Sequence, residues 1–297
     1  MMKHKSIDIS LFDLKDNCGY AVTETRKKHW AVMLDLSDQF IRICNKYDIK
    51  YFAGGGTLLG AVRHSGFIPW DDDMDFFLPY RDFLKFCEVA FSELAYPYSF
   101  QRNLTLARIR NSDTTGCTVH EMKYATPKDN LGIFIDIFPL YKIPDSVLER
   151  KIYIALTCTL QAAIRGKNRI DYLHYKNIIR FRNYLEPKEL LYFFCSLWCK
   201  NLENTYFKLC GMLEDRNTKE LGVMPFLTYD NRAIWKCELF EKQVEHRFEN
   251  RIFKIPEKYD EILKKCFGNY HIFDITGSRH SLAIVDPDTP YTEYVLI

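Results

Sequence analysis

Residues 51–81 read YFAGGGTLLGAVRHSGFIPWDDDMDFFLPYR, and the rest of the chain can be interpreted outward from this stretch. Its strand-like start runs into three consecutive glycines, Gly54, Gly55 and Gly56, after which apolar residues recur at helical spacing up to Arg63. The pattern predicts a strand, a glycine turn and the start of a helix. Glycine permits φ > 0 and a close approach of the backbone, so such a turn can present amide N–H groups to a phosphate.

Four carboxylates follow within five positions, at Asp71, Asp72, Asp73 and Asp75. Polar and apolar residues alternate from Asp73 to Leu78, which predicts a strand with Asp73 and Asp75 on one face, about 6–7 Å apart along the chain. Asp71 would share that face at the start of the strand, where it is placed to be a hydrogen-bond partner of Asp73 and Asp75. Asp72 would point to the opposite side.

Acidic clusters are commonly solvated turns, and this alternative applies here too. The flanking residues 67–70 and 76–78, however, are almost all apolar or aromatic and indicate a position in the core. Carboxylates on a buried strand cost free energy unless they are paired or bind a cation. We therefore favour a divalent metal site.

A third carboxylate for this site is found in IFIDIF, residues 133–138. A continuous apolar run is typical of a strand buried on both faces, and the single acid within it, Asp136, needs a cation as its partner. With Asp73 and Asp75 on a neighbouring strand, Asp136 would complete a three-carboxylate site.

Residues 55–64, GGTLLGAVRH, and residues 66–75, GFIPWDDDMD, closely resemble the signature of the LicD family of phosphotransferases, which includes the fukutin-related proteins and has the nucleotidyltransferase fold. The block GIFIDIFPL at residues 132–140 is similar to the family's strand with the third carboxylate. This chain departs from the family at Tyr141, where Asp is common. Residues 248–270 resemble the family's C-terminal pattern more weakly, with departures at Asn250, Phe267 and Asn269.

The periodicity and the resemblance together predict an α+β fold: a nucleotidyltransferase-like mixed sheet flanked by helices, with a mainly helical C-terminal half. Apolar spacing predicts helices over residues 26–47 and 82–95. We expect an N-terminal segment at residues 1–28, a catalytic core at residues 29–144, and a mainly helical region at residues 145–297 that completes the substrate cleft.

The metal would be Mg²⁺ or Mn²⁺, held by Asp73, Asp75 and Asp136, which are also the predicted catalytic residues; Asp136 is the candidate general base. Arg108 and Arg110 share one face of a predicted strand, for which a solvated edge strand is the competing interpretation. The resemblance favours a phosphate contact by Arg110, and a planar guanidinium suits such a contact. The predicted substrate-binding residues are Gly55, Gly56, Thr57, Arg63 and Arg110.

The resemblance also implies a CDP-linked donor, CDP-choline or a CDP-polyol. Its phosphorylated group would move to a sugar hydroxyl of a cell-surface glycan of the lipopolysaccharide, capsule or teichoic acid type, and CMP would leave. Two alternatives stay open. Fold and metal do not fix which phosphorus is attacked, and a fold does not by itself establish catalysis. The two alternatives are a nucleotidyltransferase that releases pyrophosphate and a non-catalytic protein that binds glycans or nucleotides.

The composition is that of an ordinary globular protein, with 47% hydrophobic and 27% charged residues among 297 and a net charge of +2. This charge gives no footprint for nucleic acid, and no nucleic-acid-binding motif is apparent. The ten cysteines show no CxxC or metal-finger spacing, which favours free thiols in a reducing compartment. The chain shows no signal-peptide pattern and no apolar run that could span a bilayer, so we expect a cytoplasmic location.

The aromatic-rich segment at residues 145–214 has helical spacing and basic patches at residues 165–169 and 180–182. Solvated helix ends explain the patches most simply. The alternative is contact with an anionic glycan or with a membrane surface, since we expect the acceptor to be a lipid-linked glycan at the inner membrane face. The aromatic residues at 192–198 are typical of a core, with an aromatic cage for choline as the alternative.

Overall fold

The computed structural model describes residues 9–13, 18–102, 105–124, 129–175, 201–224, 231–273 and 282–294. These residues form two compact units. The first unit comprises the described residues within 1–122, 130–139 and 239–297, and the second those within 123–129 and 140–238. The described part of residues 239–297 thus belongs to the first unit, whereas the sequence grouped those residues with the helical region.

The secondary structure of the described residues combines strands and helices throughout. The strands are β1 (Phe52–Ala53), β2 (Asp75–Pro79), β3 (Tyr98–Arg102), β4 (Ala107–Asn111), β5 (Thr115–Thr118), β6 (Ile133–Ile143), β7 (Glu220–Gly222), β8 (Ile234–Lys236), β9 (Gln243–Phe248), β10 (Arg251–Pro256) and β11 (Leu282–Asp286). The α-helices are α1 (Glu24–Lys46), α2 (Gly55–His64), α3 (Tyr80–Glu93), α4 (Val119–Tyr124), α5 (Val147–Tyr175), α6 (Leu202–Gly211), α7 (Tyr259–Phe267) and α8 (Tyr291–Tyr294). Short 3-10 turns cover Ile9–Phe12, Asn231–Ala233 and Cys237–Phe240.

The first unit is built on a mixed sheet with the strand order β1, β2, β6, β4, β3. β4 runs antiparallel to both β3 and β6, in a register that places Arg108 opposite Asp136. β9 and β10 form a hairpin, and β11 pairs with β5. The predicted α+β class is confirmed.

Helix α1 forms over nearly the range that its apolar spacing predicts. Thr23 caps its N-terminus by accepting a hydrogen bond from the Arg26 N–H at 3.2 Å. Its buried face includes Trp30 and Phe40, and Phe40 stacks on Phe76 of β2 with ring centroids 4.5 Å apart. Fully burying each such side chain is worth about 1.5–3 kcal/mol, so this packing fixes the strand from which Asp75 projects.

The second unit contains α5, α6 and the small strands β7 and β8 beside the end of β6. The Tyr153 hydroxyl on α5 donates to the Cys210 carbonyl on α6 at 2.9 Å, and Gln161 donates to the Tyr206 hydroxyl at 2.9 Å. Residues 165–169 lie within α5. The basic patch at 180–182 and the aromatic residues at 192–198 lie outside the described residues. No described helix combines the length and apolar character needed to cross a membrane.

His29 is buried in α1 at 1% exposure, and neither ring nitrogen has a hydrogen-bond partner among the described residues. Burial, assisted by the charge of Arg26, lowers the pKa of His29 to about 3 from an ordinary value of 6.5. Between these two values the unfolded chain binds a proton that the folded chain does not. The free energy of unfolding should therefore fall as the pH drops through this window, by about 2 kcal/mol at pH 5.

The variant His29→Leu isolates this contribution, because Leu fills a similar volume and does not titrate. We expect urea denaturation to show the variant gaining about 2 kcal/mol relative to the unaltered protein between pH 8 and pH 5. Other titrating groups cancel in this difference. A difference that stays constant across the two pH values would contradict the assignment of His29 as a buried neutral imidazole.

Candidate active site

The acids of residues 71–75 alternate in burial as the sequence predicts. Asp71, Asp73 and Asp75 are half-buried, whereas Asp72 and Met74 are buried. The hydrogen-bonded strand β2 begins only at Asp75, so it is shorter at its start than predicted. The segment before it still lies against β6, because the Met74 carbonyl accepts a hydrogen bond from the Asp136 N–H at 2.9 Å.

The structure places Asp71, Asp73, Asp75 and Asp136 near enough to one another for their charges to interact. Burial raises the pKa of Asp73 well above its ordinary value, and Asp71, Asp75 and Asp136 raise it further. Burial, Asp136 and Asp71 do the same to the pKa of Asp75. Burial and the charge of Asp72 raise the pKa of Asp71 to about 6, partly offset by hydrogen bonds that include one with Asp73. We call Asp71, Asp73, Asp75 and Asp136 the acidic cluster.

Asp72 has a different environment. Its Oδ2 accepts a hydrogen bond from the Leu282 N–H at 3.2 Å, which ties β11 to the acidic stretch, and Arg26 lies 3.9 Å from the same oxygen. Of the four acids that raise the pKa of Asp73, Asp72 contributes least. The geometry agrees with the predicted separation of Asp72 from the other three acids of its stretch.

The glycine turn lies directly against the acidic cluster. The Gly54 N–H donates to the Asp75 carbonyl at 2.9 Å, and the Asp75 N–H donates to the Thr57 hydroxyl at 2.8 Å. A Cβ on Gly55, which has φ +46°, would lie 2.8 Å from Asp75 Oδ2, and one on Gly56 would lie closer still to Asp71 Oδ2. Only glycine leaves room for these carboxylates beside the N-terminus of α2. Phosphate binding by the turn stays a prediction.

The two arginines predicted to bind phosphate have internal partners in this structure. Arg63 donates to the Tyr270 carbonyl at 2.9 Å and the Ile272 carbonyl at 3.3 Å, and its guanidinium lies over the Phe273 ring at 5.1 Å. It therefore anchors a C-terminal loop to α2. The His64 ring accepts a hydrogen bond from Arg63 Nε at 2.9 Å.

Arg110 is fully buried. Its guanidinium donates to Gln101 at 2.9 Å, to the Gly132 carbonyl at 2.8 Å and to Glu121. No part of this side chain is accessible to a phosphate in this structure. Its observed role is to hold Glu121 and the start of β6.

Sequence reasoning did not select Arg108, which is the arginine that borders the acidic cluster. Its Nε donates to Asp136 Oδ1 at 2.6 Å, and its Nη2 lies 3.4 Å from Oδ2. The alternation along β4 indicated that Arg108 and Arg110 share one face of the strand. Only the pairing of β4 with β6 places Arg108 opposite Asp136.

The acidic cluster supplies only oxygen donors, which is the donor set that Mg²⁺ and Mn²⁺ prefer. The neighbouring carboxylates raise the pKa of Asp73 and of Asp75, a repulsion that a divalent cation would relieve. By donor chemistry the residues fit such an ion. In the part of the chain that the structure describes, no three Asp, Glu, His or Cys side chains are arranged so that they could hold a metal ion.

Comparison with known proteins shows which protein family the region around the acidic cluster resembles. Residues 48–156 match the nucleotidyltransferase domain of the LicD/FKTN/FKRP family. The chain carries a LicD-family domain. The glycine turn and the whole acidic cluster lie inside it.

Three relatives outline how far the similarity extends. The chain is 28% identical over 259 residues to the lipopolysaccharide cholinephosphotransferase LicD of Haemophilus influenzae, which covers 83% of this chain and 91% of that protein. An uncharacterized protein of Rickettsia prowazekii is 38% identical over 68 residues, 22% of this chain and 26% of its own length. One of Rickettsia typhi is 45% identical over 56 residues, 18% of each chain. At 83% of this chain, the first similarity extends well beyond residues 48–156.

Proposed function

We propose that this protein is a metal-dependent phosphotransferase that modifies a cell-surface glycan. It moves phosphocholine or a polyol phosphate from a CDP-linked donor to a sugar hydroxyl and releases CMP. The glycan is of the lipopolysaccharide, capsule or teichoic acid type. The observation that carries the proposal is the acidic cluster beside the α2 N-terminus, inside a LicD-family domain.

The relative from Haemophilus influenzae supports the substrate class. That protein is named a lipopolysaccharide cholinephosphotransferase, and this chain covers 91% of its length. An identity of 28% supports the reaction type more strongly than the head group, so choline and polyol donors both belong to the proposal.

The residues of the acidic cluster divide the chemistry between them. Asp73 and Asp75 would hold Mg²⁺ or Mn²⁺, and Asp136 would complete the set. The bound ion would neutralise phosphate charge and orient an in-line displacement. Asp71 would position Asp73, and the free N–H groups at the start of α2 would face the donor phosphates.

Asp136 is the group that takes the proton of the acceptor hydroxyl. The new bond joins that hydroxyl oxygen to the phosphorus of the transferred group, and the bond from this phosphorus to the CMP oxygen breaks. Of the two Asp136 oxygens, Oδ2 is held less closely by Arg108, at 3.4 Å compared with 2.6 Å for Oδ1. Oδ2 is therefore the better placed to accept a proton.

The competing function is nucleotidyl transfer, which the same fold and metal set can perform. The two reactions differ in their products. Phosphotransfer from a CDP-linked donor releases CMP, whereas nucleotidyl transfer from a nucleoside triphosphate releases pyrophosphate.

We expect CMP release when the protein is incubated with Mg²⁺, a CDP-linked donor and inner-membrane vesicles that carry lipid-linked glycan. A panel containing CDP-choline and several CDP-polyols would identify the head group, and EDTA should stop the reaction until Mg²⁺ or Mn²⁺ is restored. Incorporation into inside-out vesicles but not right-side-out vesicles would support action at the cytoplasmic face. Full activity in EDTA, or pyrophosphate as the product, would contradict the proposal.

A further inference from the structure

Arg108 borders the acidic cluster, yet no step of the proposed reaction uses it. It is 9% exposed, and its guanidinium bridges two acids: Asp136, through Nε at 2.6 Å and Nη2 at 3.4 Å, and Glu121, through Nη1. Such a paired guanidinium holds a carboxylate in one orientation.

The position of Arg108 is fixed from two further directions. Its guanidinium carbon lies 3.9 Å from the centre of the Phe134 ring, a cation–π contact. Glu121 is itself held by Arg110 and by Thr118, whose N–H and hydroxyl donate to it at 3.0 and 3.1 Å. Arg108 is therefore part of a network of ion pairs and hydrogen bonds, and it cannot move far without breaking several of these contacts.

Arg108 places a buried positive charge directly beside a predicted metal ligand, because its Nε and Nη2 lie against the two oxygens of Asp136. Burial alone would raise the pKa of Glu121, but Arg108 and Arg110 outweigh it and lower that pKa. Arg108 thus supplies positive charge at the place where a divalent cation would supply it.

We propose that Arg108 is a positioning residue and a resident counter-ion: it orients the Asp136 carboxylate and partly neutralises the acidic cluster before a metal ion binds. The inference rests on the proposed function, because it assumes that the cluster takes a divalent cation. Arg108 and the metal ion then compete for the same negative charge. The affinity for metal is held below the value that the four carboxylates would give alone.

The test is Mn²⁺ binding without substrates, measured by titration calorimetry on the full-length chain. Arg108→Gln should bind Mn²⁺ at least about tenfold more tightly, because a unit positive charge beside a divalent-ion site has been removed. Its melting temperature without metal should fall, because Asp136 loses its partner, and Mn²⁺ should raise it by more than in the unaltered protein. Arg108→Lys keeps the charge and should bind Mn²⁺ within about twofold of the unaltered protein.

Arg102→Gln is the matched control: it removes a positive charge from the exposed end of strand β3, where Arg102 pairs with Ala107 and so points to the sheet face opposite to Arg108. It should leave Mn²⁺ affinity unchanged. If Arg108→Gln does not fold alone, the proposal requires Mn²⁺ to restore its folding, and failure to do so would overturn it. Unchanged or weaker Mn²⁺ binding by Arg108→Gln would also overturn it. Absence of Mn²⁺ binding by the unaltered chain would instead contradict the proposed function, and this inference with it.

Discussion

Replacement of Asp73 by Asn should abolish transfer and at the same time raise the melting temperature of the metal-free protein. The loss of rate should be at least ~10²–10⁴-fold, the scale of a lost electrostatic or acid–base contribution. The gain in stability follows because burial and four neighbouring acids raise the pKa of Asp73, so ionising this carboxyl opposes folding. A neutral Asn removes that repulsion, and each kcal/mol gained is worth ~2–4 °C in a chain of this size.

Two variants make this result specific to the cluster. Asp72→Asn should change rate and melting temperature only slightly, because the Asn side-chain oxygen can still accept the hydrogen bond from the Leu282 N–H. Asp136→Asn should lose activity like Asp73→Asn but gain no stability, because it removes one of the two ion-pair partners of the buried Arg108. If Asp73→Asn kept near-normal turnover while Asp72→Asn was inactive, the metal site would have to be placed on the opposite face.

Gly55→Ala should reduce kcat by about 100-fold while the protein stays folded, the penalty expected when a catalytic group is displaced by about 1 Å. The added Cβ would lie 2.8 Å from Asp75 Oδ2, so the carboxylate or the start of α2 must move. Steady-state kinetics with a CDP-linked donor and circular dichroism on the same samples would measure rate and fold together.

Gly268→Ala separates this crowding from backbone strain. Gly268 also has a positive φ, +65°, but a Cβ there would have nothing within 4 Å. Both variants should lose roughly 1–3 kcal/mol of stability, because each places a Cβ on a backbone with positive φ, and only Gly55→Ala should lose activity. Equal kinetic effects from the two variants would show that the close approach of Gly55 to Asp75 is not needed for turnover.

The sequence could predict the features of the site that depend on local periodicity. Alternation placed Asp71, Asp73 and Asp75 on one side and Asp72 on the other, and the half-buried and buried classes follow that pattern. The apolar run around Asp136 predicted a buried strand, which is β6. These predictions needed only the period of a strand, which neighbouring residues determine.

The sequence could not predict which hydrogen-bonding groups the fold already uses. Arg63 has the guanidinium expected of a phosphate-binding residue, but its partners Tyr270 and Ile272 lie more than 200 positions away in the chain. Arg110 is satisfied by Glu121 and by backbone carbonyls that are brought to it by the pairing of β4 with β6. Such long-range partners are determined by tertiary packing, and no local sequence pattern predicts them.

The same reason explains the last segment of the chain. Residues 282–286 were grouped with a helical region, yet they form β11 and pair with β5 in the first unit. Asp72, which local alternation could only turn away from the metal ligands, accepts a hydrogen bond from the first residue of that strand. The position of β11 therefore depends on an acid more than 200 residues earlier in the chain.

The measurement that tests the central claim most directly follows the phosphorus atom itself. CDP-choline labelled with ³²P in the phosphate next to choline is incubated with Mg²⁺, the glycan acceptor and either the unaltered protein or Asp73→Asn. We expect the label to enter the glycan in equal amount to the unlabelled CMP released, with the unaltered protein only. Label released as free phosphocholine while CMP enters the glycan, or incorporation that persists in Asp73→Asn, would contradict metal-dependent phosphotransfer at the acidic cluster.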